Sequence, residues 1–346
     1  MNRFNQAFHR RNPGRPPVWF MRQAGRYHAH YQALKREHDF ITLCKDPALA
    51  CEVTLGPIRD FDFDAAILFS DLLFPLEAMG MGLQYSPGPV LDWHLHTPAD
   101  LDRLTGGAER VVTLEFQADA MRRIRAALPE EKGLLGFVGG PLTLFVYAAS
   151  GSHKGDLSSA LLGLRDGRYE GFCDRLMDLL AANIILQFQS GADTVAVMDT
   201  AAGEIPLTDF EALVVPRLAQ LFAAVRAQVP HAAFTYYSRG TGPAHWRALA
   251  GLPIGCLGVD WIHPLSEVMT EVGDRWAVQG NFDPSLMLLP EAELRPLLLK
   301  FFTAGRALSA RHRAGWICGL GHGVLPGTPE ANVRLFLQLQ REFFAP

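Results

Sequence analysis

Four side chains carry reactive groups at positions where a turn residue would be expected. They are Arg22 and Arg26, in the segment Met-Arg-Gln-Ala-Gly-Arg, together with Tyr147 and His322. A guanidinium fork binds a carboxylate through two parallel hydrogen bonds, so the two arginines could hold an anionic substrate. An imidazole could hold a carboxylate when protonated, or relay a proton. Because none of the four residues is a common turn former, a purely structural role explains the set poorly.

Each of these residues also has a purely structural explanation. Two arginines four residues apart on a helix could form ordinary salt bridges, but the intervening Gly25 argues against a regular helix. Tyr147 and Thr200 offer neutral hydroxyls, and from the residues alone a core aromatic and a helix cap explain them equally well.

The elements that must position these groups are short runs of apolar, β-branched or aromatic residues. Segments with helical periodicity separate the runs, the clearest being Tyr169–Ser190, and Gly191 is expected to stop that helix. The runs show no polar alternation, which is typical of strands buried on both faces. They are Pro17–Phe20, Ala65–Phe69, Leu134–Val138, Thr194–Met198, Ala233–Tyr237, Gly255–Val259, Trp276–Gly280 and Trp316–Leu320.

Eight such runs alternating with helices predict an α/β fold, a single (β/α)₈ TIM barrel with an all-parallel sheet, formed by one domain over residues 1–346. The long interval after the second run predicts an inserted loop or ribbon at Gly80–Leu95, followed by a helix near Glu109–Ala127. A doubly wound sheet with a second domain is the structural alternative.

Polar or small residues follow every run. In a barrel these positions converge at the C-terminal mouth, where active sites of this architecture lie. Glycine, aspartate, serine and asparagine are also ordinary turn formers, which accounts for most of the glycines and for Asp283. The segments are residues 21–26, Ser70-Asp71, Gly139-Gly140-Pro141, Asp199-Thr200, Ser238-Arg239-Gly240, Asp260-Trp261, Asn281-Phe282-Asp283-Pro284 and Gly321-His322-Gly323.

Composition narrows the class of protein. The chain has 346 residues, a formal net charge of −4 and five scattered cysteines without a CxxC pair. We therefore expect a cytoplasmic protein with no nucleic-acid partner, no membrane span and no secretory signal. The negative net charge also means that an anionic ligand needs a local cluster of cations.

Five segments together resemble the uroporphyrinogen decarboxylase family. They are PPVWFMRQAGRY (16–27), ILFSDLL (67–73), VMDTAAGE (197–204), QGNFDP (279–284) and GLGHGVLPGTP (319–329). The resemblance implies a single (β/α)₈ barrel, usually a homodimer. It implies a carboxy-lyase that removes CO₂ from the four acetate side chains of uroporphyrinogen III, giving coproporphyrinogen III without a metal or cofactor.

Carried over residue by residue, the resemblance assigns the binding of this porphyrinogen to nine positions. The substrate-contacting loop is Arg22, Gln23, Ala24, Gly25 and Arg26, the pyrrole-binding carboxylate is Asp71, and the remaining contacts are Tyr147, Thr200 and His322. The sequence departs from the family at His28-Ala29-His30, at Met198 and at Ala201, which puts the pocket wall and the lid loop in question more than the chemistry.

Asp71 suits the part that the resemblance gives it. An ionised aspartate has about four lone-pair sites and no donor, so it can face the four pyrrole N–H groups of the macrocycle. It would also stabilise positive charge that develops on the ring, and we expect Arg22 and Arg26 to keep its pKa low. The proton donor stays open between Arg22 in a special environment and an ordered water, because arginine is a weak acid.

Two other functions compete with decarboxylation. A zinc-dependent methyltransferase of the same barrel superfamily would need a set of histidine and cysteine ligands. Only Cys318 and His322 have a suitable spacing, and Cys318 lies in an apolar run where a small core residue is expected. A catalytically silent barrel that only binds a tetrapyrrole or a protein is the second alternative, and the presence of Asp71 with both arginines argues against it.

Overall fold

The computed structural model describes residues 1–85 and 88–345. Seven strands form one curled parallel sheet in the order β1-β4-β5-β6-β7-β8-β9. Their bounds are β1 Ala65–Ile67, β4 Gly133–Gly139, β5 Thr194–Asp199, β6 Phe234–Ser238, β7 Ile254–Gly258, β8 Ala277–Phe282 and β9 Trp316–Leu320, and a separate antiparallel pair consists of β2 Gln84–Tyr85 and β3 Pro89–Val90.

Helices connect the strands along the chain. The α-helices are α1 Arg3–Phe8, α2 Ala29–Glu37, α3 Phe40–Lys45, α4 Pro47–Phe61, α5 Phe74–Ala78, α6 Glu115–Ala127, α7 Pro141–Ser150, α8 Ser158–Gly163, α9 Arg168–Gln189, α10 Leu207–Asp209, α11 Val215–Gln228, α12 Pro243–Ala248, α13 Leu265–Val272, α14 Glu291–Ala307, α15 Ala310–Arg313 and α16 Glu330–Phe343. Short 3₁₀ helices span Pro98–Arg103, Ala108–Leu114, Ala202–Glu204 and Pro284–Leu288, and one π-helical turn spans Phe210–Val214.

The parallel α/β architecture confirms the sequence pattern. Seven of the eight predicted runs are strands of the sheet, and the side chains of β5 and β6 are buried along their whole length. The predicted helix at 169–190 is α9, and Gly191 directly after it has a φ of +108°, a value that glycine adopts without strain. The predicted helix near 109–127 is divided into a 3₁₀ turn and α6.

The first predicted run, Pro17–Phe20, is the exception, because it forms no continuous ladder. Val18 makes an isolated parallel bridge to Cys318 of β9, whose amide donates to the Pro17 carbonyl at 2.8 Å. On its other side, the Val18 carbonyl accepts a hydrogen bond from the amide of Asp64, just before β1. Pro16 and Pro17 have no amide hydrogen, so the pairing cannot be regular here. The segment 17–20 thus lies between the two edge strands, β9 and β1.

The insertion after β1 contains the β2–β3 pair, with Gln84 opposite Val90 and Tyr85 opposite Pro89. Residues 86 and 87 of the predicted ribbon lie outside the described residues.

Helix α1 packs against the amino-terminal end of the sheet. A Cβ on Gly133 would lie 2.6 Å from the Phe4 ring, and one on Gly255 would lie 2.3 Å from the Phe8 ring, so both glycines admit aromatic side chains. Phe4 and Phe8 join Trp19 in an apolar cluster on the inner face of the sheet. Among the described residues, no helix has the length and apolar content that crossing a membrane requires. The carboxyl ends of the strands remain as the open end of the fold.

Candidate active site

A cavity of about 560 Å³ lies at the carboxyl ends of the strands. Seven of the nine residues predicted for substrate binding line it: Arg22, Ala24, Gly25, Arg26, Asp71, Thr200 and His322. The side chains of Gln23 and Tyr147 are not part of its wall. The remaining wall is largely apolar, with Ile67, Phe137 and Met198 contributed by three strands.

The segment 21–26 is an irregular loop and not a helix, as Gly25 predicts. The Gln23 side chain is buried and holds this loop to the sheet. Its amide group donates to the Ala65 carbonyl at 3.0 Å and accepts from the Phe20 amide at 3.3 Å, while the Tyr27 hydroxyl donates to the Gln23 carbonyl. Gln23 therefore positions its neighbours, and its backbone amide and carbonyl also have partners within the protein, Phe20 and Tyr27.

Arg22 and Arg26 have exposed side chains at the cavity. Within residues 1–85 and 88–345, neither guanidinium has a carboxylate partner, whereas most other arginines of the chain do. Arg22 adopts a φ of +60°, a conformation that is uncommon for a residue with a side chain. Two cations without acidic partners at the wall of a cavity are suited to bind an anion.

The glycines that flank His322 allow close packing of neighbouring residues. A Cβ on Gly323 would lie 2.5 Å from Cδ of Arg22, and one on Gly321 would lie 2.7 Å from the Trp261 amide nitrogen. The Arg22 stem and a neighbouring loop thus occupy the space that a side chain at either glycine would need.

Asp71 follows β1, and its Oδ1 accepts a hydrogen bond from the Leu73 amide at 2.8 Å. Burial raises its pKa above the ordinary value, although the Leu73 amide, the Tyr85 hydroxyl and the charge of Arg22 each act to lower it. The expectation of a low pKa is wrong in direction, because desolvation outweighs these partners. The Tyr85 hydroxyl is buried and has no hydrogen bond of good geometry among the described residues.

His322 follows β9 and is held by Tyr237. The Tyr237 hydroxyl donates to the Gly321 carbonyl at 2.9 Å and lies 3.0 Å from Nδ1 of His322. Since a hydroxyl has one proton, Nδ1 must be the donor to it, which leaves Nε2 as a free acceptor. Burial, followed by the charges of Arg22 and Arg239, lowers the pKa of His322 to about 3. The imidazole is neutral in the substrate-free protein.

Tyr147 and Thr200 lie on neighbouring elements. The Tyr147 hydroxyl is 2.7 Å from Nδ1 of His153, and burial, with a smaller contribution from Asp71, raises its pKa to about 12. Tyr147 therefore presents a neutral hydroxyl. Thr200 is buried at the cavity wall directly after β5.

Asp199, the residue before Thr200, has a structural role. Its Oδ1 accepts from the amide and the hydroxyl of Thr143, at 3.0 and 2.8 Å, and its Oδ2 accepts from the Tyr236 hydroxyl at 3.1 Å. Burial raises its pKa to about 6. These bonds join the end of β5 to the first turn of α7, the helix that carries Tyr147. Asp283 caps the following 3₁₀ helix through the Ser285 amide, as expected of a turn former.

Comparison with known proteins identifies the family of this chain. The model of the uroporphyrinogen decarboxylase (URO-D) family matches residues 1–343. A uroporphyrinogen decarboxylase of Roseiflexus sp. is 36% identical, with 99% of each chain covered, and one of Mycolicibacterium smegmatis is 36% identical over 92% of this chain and 91% of its own. The chain belongs to the uroporphyrinogen decarboxylase family. The resemblance seen in the motifs is confirmed.

The solved structures add information on the fold. A methyltransferase from Methanosarcina mazei superposes with a TM-score of 0.77, covering 100% of both chains at 17% sequence identity. At this identity the likeness supports the α/β architecture and does not carry the methyltransferase activity to this member of the uroporphyrinogen decarboxylase family.

The departures from the family pattern fall into two groups. Met198 lines the cavity, so it changes the wall itself. His28 and His30 bond through Nε2 to Asp60 and Glu52, both at 2.7 Å, and neither lines the cavity. These two histidines join the start of α2 to α4, outside the cavity.

Several polar residues at or near the cavity are absent from the predicted site, among them Tyr31 and Ser70, which line it. Lys35 and Tyr85 line it, and Arg239 lies close enough to lower the pKa of His322. Arg239 has a sequence signal, since it directly follows the fifth predicted strand. Lys35 and Tyr85 have none, because a helix and an inserted strand bring them to the cavity.

The raised pKa of Asp71 predicts that the wild type and Asp71→Asn differ in thermal stability by an amount that depends on pH. A carboxyl whose pKa is higher in the folded chain binds its proton more tightly there, so ionising it costs stability as pH rises from about 3.9 through the folded pKa. Asp71→Asn should therefore unfold at a higher temperature than the wild type at pH 7–8, and this advantage should vanish as pH falls toward 4. Thermal unfolding across that range tests it. A variant less stable than the wild type at neutral pH would mean that folding does not raise the pKa of Asp71.

Proposed function

We propose that this chain removes CO₂ from the four acetate side chains of uroporphyrinogen III, giving coproporphyrinogen III. The observation that carries the proposal is the Asp71 carboxylate in a cavity rimmed by Arg22 and Arg26, two cations without an acidic partner among the described residues. That set matches the two kinds of group on a porphyrinogen, because a carboxylate can accept from the inner N–H groups and guanidinium groups can bind the carboxylates of the rim.

The chemistry needs an electron sink. Loss of CO₂ from a pyrrole acetate leaves an electron pair on the methylene carbon, and many decarboxylases use a cofactor to accept it. A porphyrinogen can provide its own sink, because protonation of a pyrrole carbon gives a cationic ring. The protein must then stabilise that positive charge and, after CO₂ has left, place one proton on the methylene carbon that becomes the methyl group while the ring carbon releases the proton it took up.

Asp71 is proposed as the transition-state stabiliser. In its ionised form it accepts hydrogen bonds from the pyrrole N–H groups and lowers the energy of the ring cation. The partly buried position of the carboxylate strengthens this interaction, since the effective dielectric constant is lower than in water. The same burial raises the pKa of Asp71, so binding of a ring that becomes cationic should draw the pKa down again.

The remaining residues are proposed to hold the rim and the faces of the macrocycle. Arg22 and Arg26 bind rim carboxylates, Ala24 and Gly25 contribute wall contacts of the same loop, and Gln23 holds that loop to the sheet. Thr200 and Tyr147 offer neutral hydroxyls, and His322 offers Nε2. A carboxylate that approaches Nε2 would raise the pKa of His322 from about 3 and favour uptake of a proton.

We also propose that residues 17–20 complete an eight-stranded (β/α)₈ barrel, within one domain over 1–346. Its contacts to β9 and to Asp64 support this. The β2–β3 pair is proposed as the inserted ribbon, consistent with Tyr85 and Pro89 in the cavity wall.

The family resemblance favours a homodimer. The five free cysteine thiols favour a reducing compartment, the cytoplasm. The proposed partner is a small porphyrinogen, without nucleic acid or membrane.

The proposed reaction uses no metal and no organic cofactor. Among the residues that the structure describes, no three or more histidine, cysteine, aspartate or glutamate side chains come together as a metal site. Cys318 is buried within β9, where burial raises the pKa of its thiol well above the ordinary value, which makes it a poor thiolate ligand. The zinc-dependent methyltransferase remains the alternative, tested by the same assay.

The decisive experiment is anaerobic incubation of the protein with uroporphyrinogen III, followed by oxidation and chromatography of the products. We expect porphyrins with seven, six, five and finally four carboxylates, and the same rate after dialysis against a strong chelator. Activity lost on chelation and restored specifically by zinc would favour the methyltransferase instead. A wild-type protein that binds the porphyrinogen and releases no CO₂ would support the silent barrel.

A further inference from the structure

Arg239 occupies the position farthest from Arg22 around the sheet. It directly follows β6, and the sheet order runs from segment 17–20 through β1, β4 and β5 to β6, then through β7, β8 and β9 back to that segment. β6 is thus four steps from segment 17–20 in either direction. The backbone positions of Arg22 and Arg239 therefore lie on opposite sides of the ring. Arg22 lines the cavity, and Arg239 lies outside its lining but near enough for its charge to lower the pKa of His322.

The backbone at Arg239 is held firmly. Its carbonyl accepts a hydrogen bond from the Gly203 amide at 3.0 Å, and the next amide, that of Gly240, donates to the Asp260 carboxylate at 2.7 Å. Gly203 has to be small, since a Cβ there would lie 2.4 Å from the Arg239 carbonyl oxygen. The buried Asp260 therefore fixes the turn that carries Arg239.

The Arg239 side chain is half-buried, yet across residues 1–85 and 88–345 it makes no hydrogen bond and no ion pair. Arg165 and Arg217, two other arginines of this half of the chain, are paired with Asp209 and Asp174. Lys154, exposed on the loop after α7, likewise has no acidic partner in that part of the chain. A partly desolvated cation without a counter-charge is unfavourable unless an anion completes the site.

Both cations act on the cavity. The charges of Arg239 and Lys154 add to burial in lowering the pKa of His322 and of His153. His322 lines the cavity, and His153 bonds to the Tyr147 hydroxyl. The positive charge is therefore directed at the same residues that the proposed substrate would contact.

We propose that Arg239, assisted by Lys154, forms a second carboxylate-binding subsite that holds the rim of the porphyrinogen on the side opposite Arg22 and Arg26. This rests on the proposed function, because a ligand with carboxylates around its entire rim is what two opposed cationic groups fit. A macrocycle held on both sides keeps its centre over Asp71. Arg239 is then a substrate-binding residue, with Lys154 as a weaker, exposed contributor.

The test compares Arg239→Gln, Arg239→Lys and a control, Arg36→Gln, which removes an exposed arginine of α2 outside the cavity. Two quantities are measured for each: KM for uroporphyrinogen III, and Kd for the stable octacarboxylate uroporphyrin by fluorescence titration. We expect Arg239→Gln to raise both about tenfold, with kcat changed less than about threefold. Arg239→Lys should recover part of the loss, because it keeps the charge and loses the fork. Arg36→Gln should behave as wild type.

The nature of the bound carboxylate follows from a second ligand, coproporphyrin, which keeps only propionates. An equal loss of affinity for both porphyrins means that Arg239 binds a propionate, and a loss confined to uroporphyrin means that it binds an acetate.

The proposed subsite is wrong if Arg239→Gln has the same Kd as Arg36→Gln. It is also wrong if Arg239→Lys loses as much affinity as Arg239→Gln while both variants unfold at a lower temperature than the wild type. Failure of the proposed function is separate, since a wild type that binds uroporphyrin but makes no product still allows the Kd comparison. A wild type that does neither overturns both proposals.

Discussion

Replacing Asp71 by asparagine is expected to lower the decarboxylation rate by roughly 10²–10³, which corresponds to a few kcal/mol of lost transition-state stabilisation. The amide can still accept the hydrogen bond that Oδ1 receives from the Leu73 amide, so the loop after β1 should keep its conformation. It carries no charge to stabilise a cationic ring, and its N–H₂ group opposes the pyrrole N–H donors. The loss should appear in kcat for the first decarboxylation, measured by timed product analysis under nitrogen.

The control for this variant is Asp178→Asn, which removes one carboxylate from the exposed face of α9. It should retain wild-type turnover, since it changes the net charge equally and lies outside the cavity. The unfolding temperature of Asp71→Asn separates chemistry from folding, because the raised pKa of Asp71 predicts a more stable variant at neutral pH. Near-normal turnover in a stable Asp71→Asn protein would rule out electrostatic stabilisation of the ring by this carboxylate.

The second large effect is expected from substitutions of Arg22 and Arg26 in the loop formed by residues 21–26. Arg22→Lys and Arg26→Lys keep the charge, but a point ammonium cannot reproduce a bidentate guanidinium fork. Each variant should lose about 1–3 kcal/mol of substrate binding, measured as an increase in KM. Arg22 lies at φ +60° in the wild type, and lysine there would carry the same backbone cost, so the comparison isolates the head group.

The four successive decarboxylations show which carboxylate each arginine holds. If an arginine contacts an acetate, its replacement should weaken the binding of uroporphyrinogen more than the binding of intermediates that have already lost acetates. If it contacts a propionate, the replacement should weaken the binding of the substrate of every step equally. Arg36→Lys serves as the control, because Arg36 is exposed on α2 and does not line the cavity. Unchanged KM and kcat in both loop variants would make the loop structural and move the binding of the rim to other residues.

Much of the fold could be predicted because its signal is local. Seven apolar runs coincide with strands, since a strand buried on both faces needs consecutive apolar residues. Helix α9 and its stop at Gly191 follow from periodicity and from one glycine with positive φ. The first run, Pro17–Phe20, could not be interpreted as easily. Pro16 and Pro17 deprive it of amide donors, so the segment 17–20 contacts both edge strands without forming a ladder.

The candidate site is partly local in the same sense. Asp71, Thr200 and His322 follow strands and line the cavity, so their place after an apolar run was an informative signal. The signal is not sufficient by itself, because Asp260 and Asp283 also follow strands and instead bond to neighbouring backbone amides. Residues that reach the cavity from a helix or an inserted strand, such as Lys35 and Tyr85, could not be predicted in this way.

By itself, the sequence determined the alternation of strands and helices, the family and the residue types that meet at the mouth. Only the tertiary structure decided what state those residues are in. The pKa of Asp71 is raised, and that of His322 lowered, because burial depends on every residue packed around a group. The Gln23 side chain is hydrogen-bonded to the Ala65 carbonyl, and His322 to the Tyr237 hydroxyl, and these partners are 42 and 85 positions away along the chain. Desolvation and hydrogen bonding between distant residues exist only once the chain has folded, so no local pattern contains them.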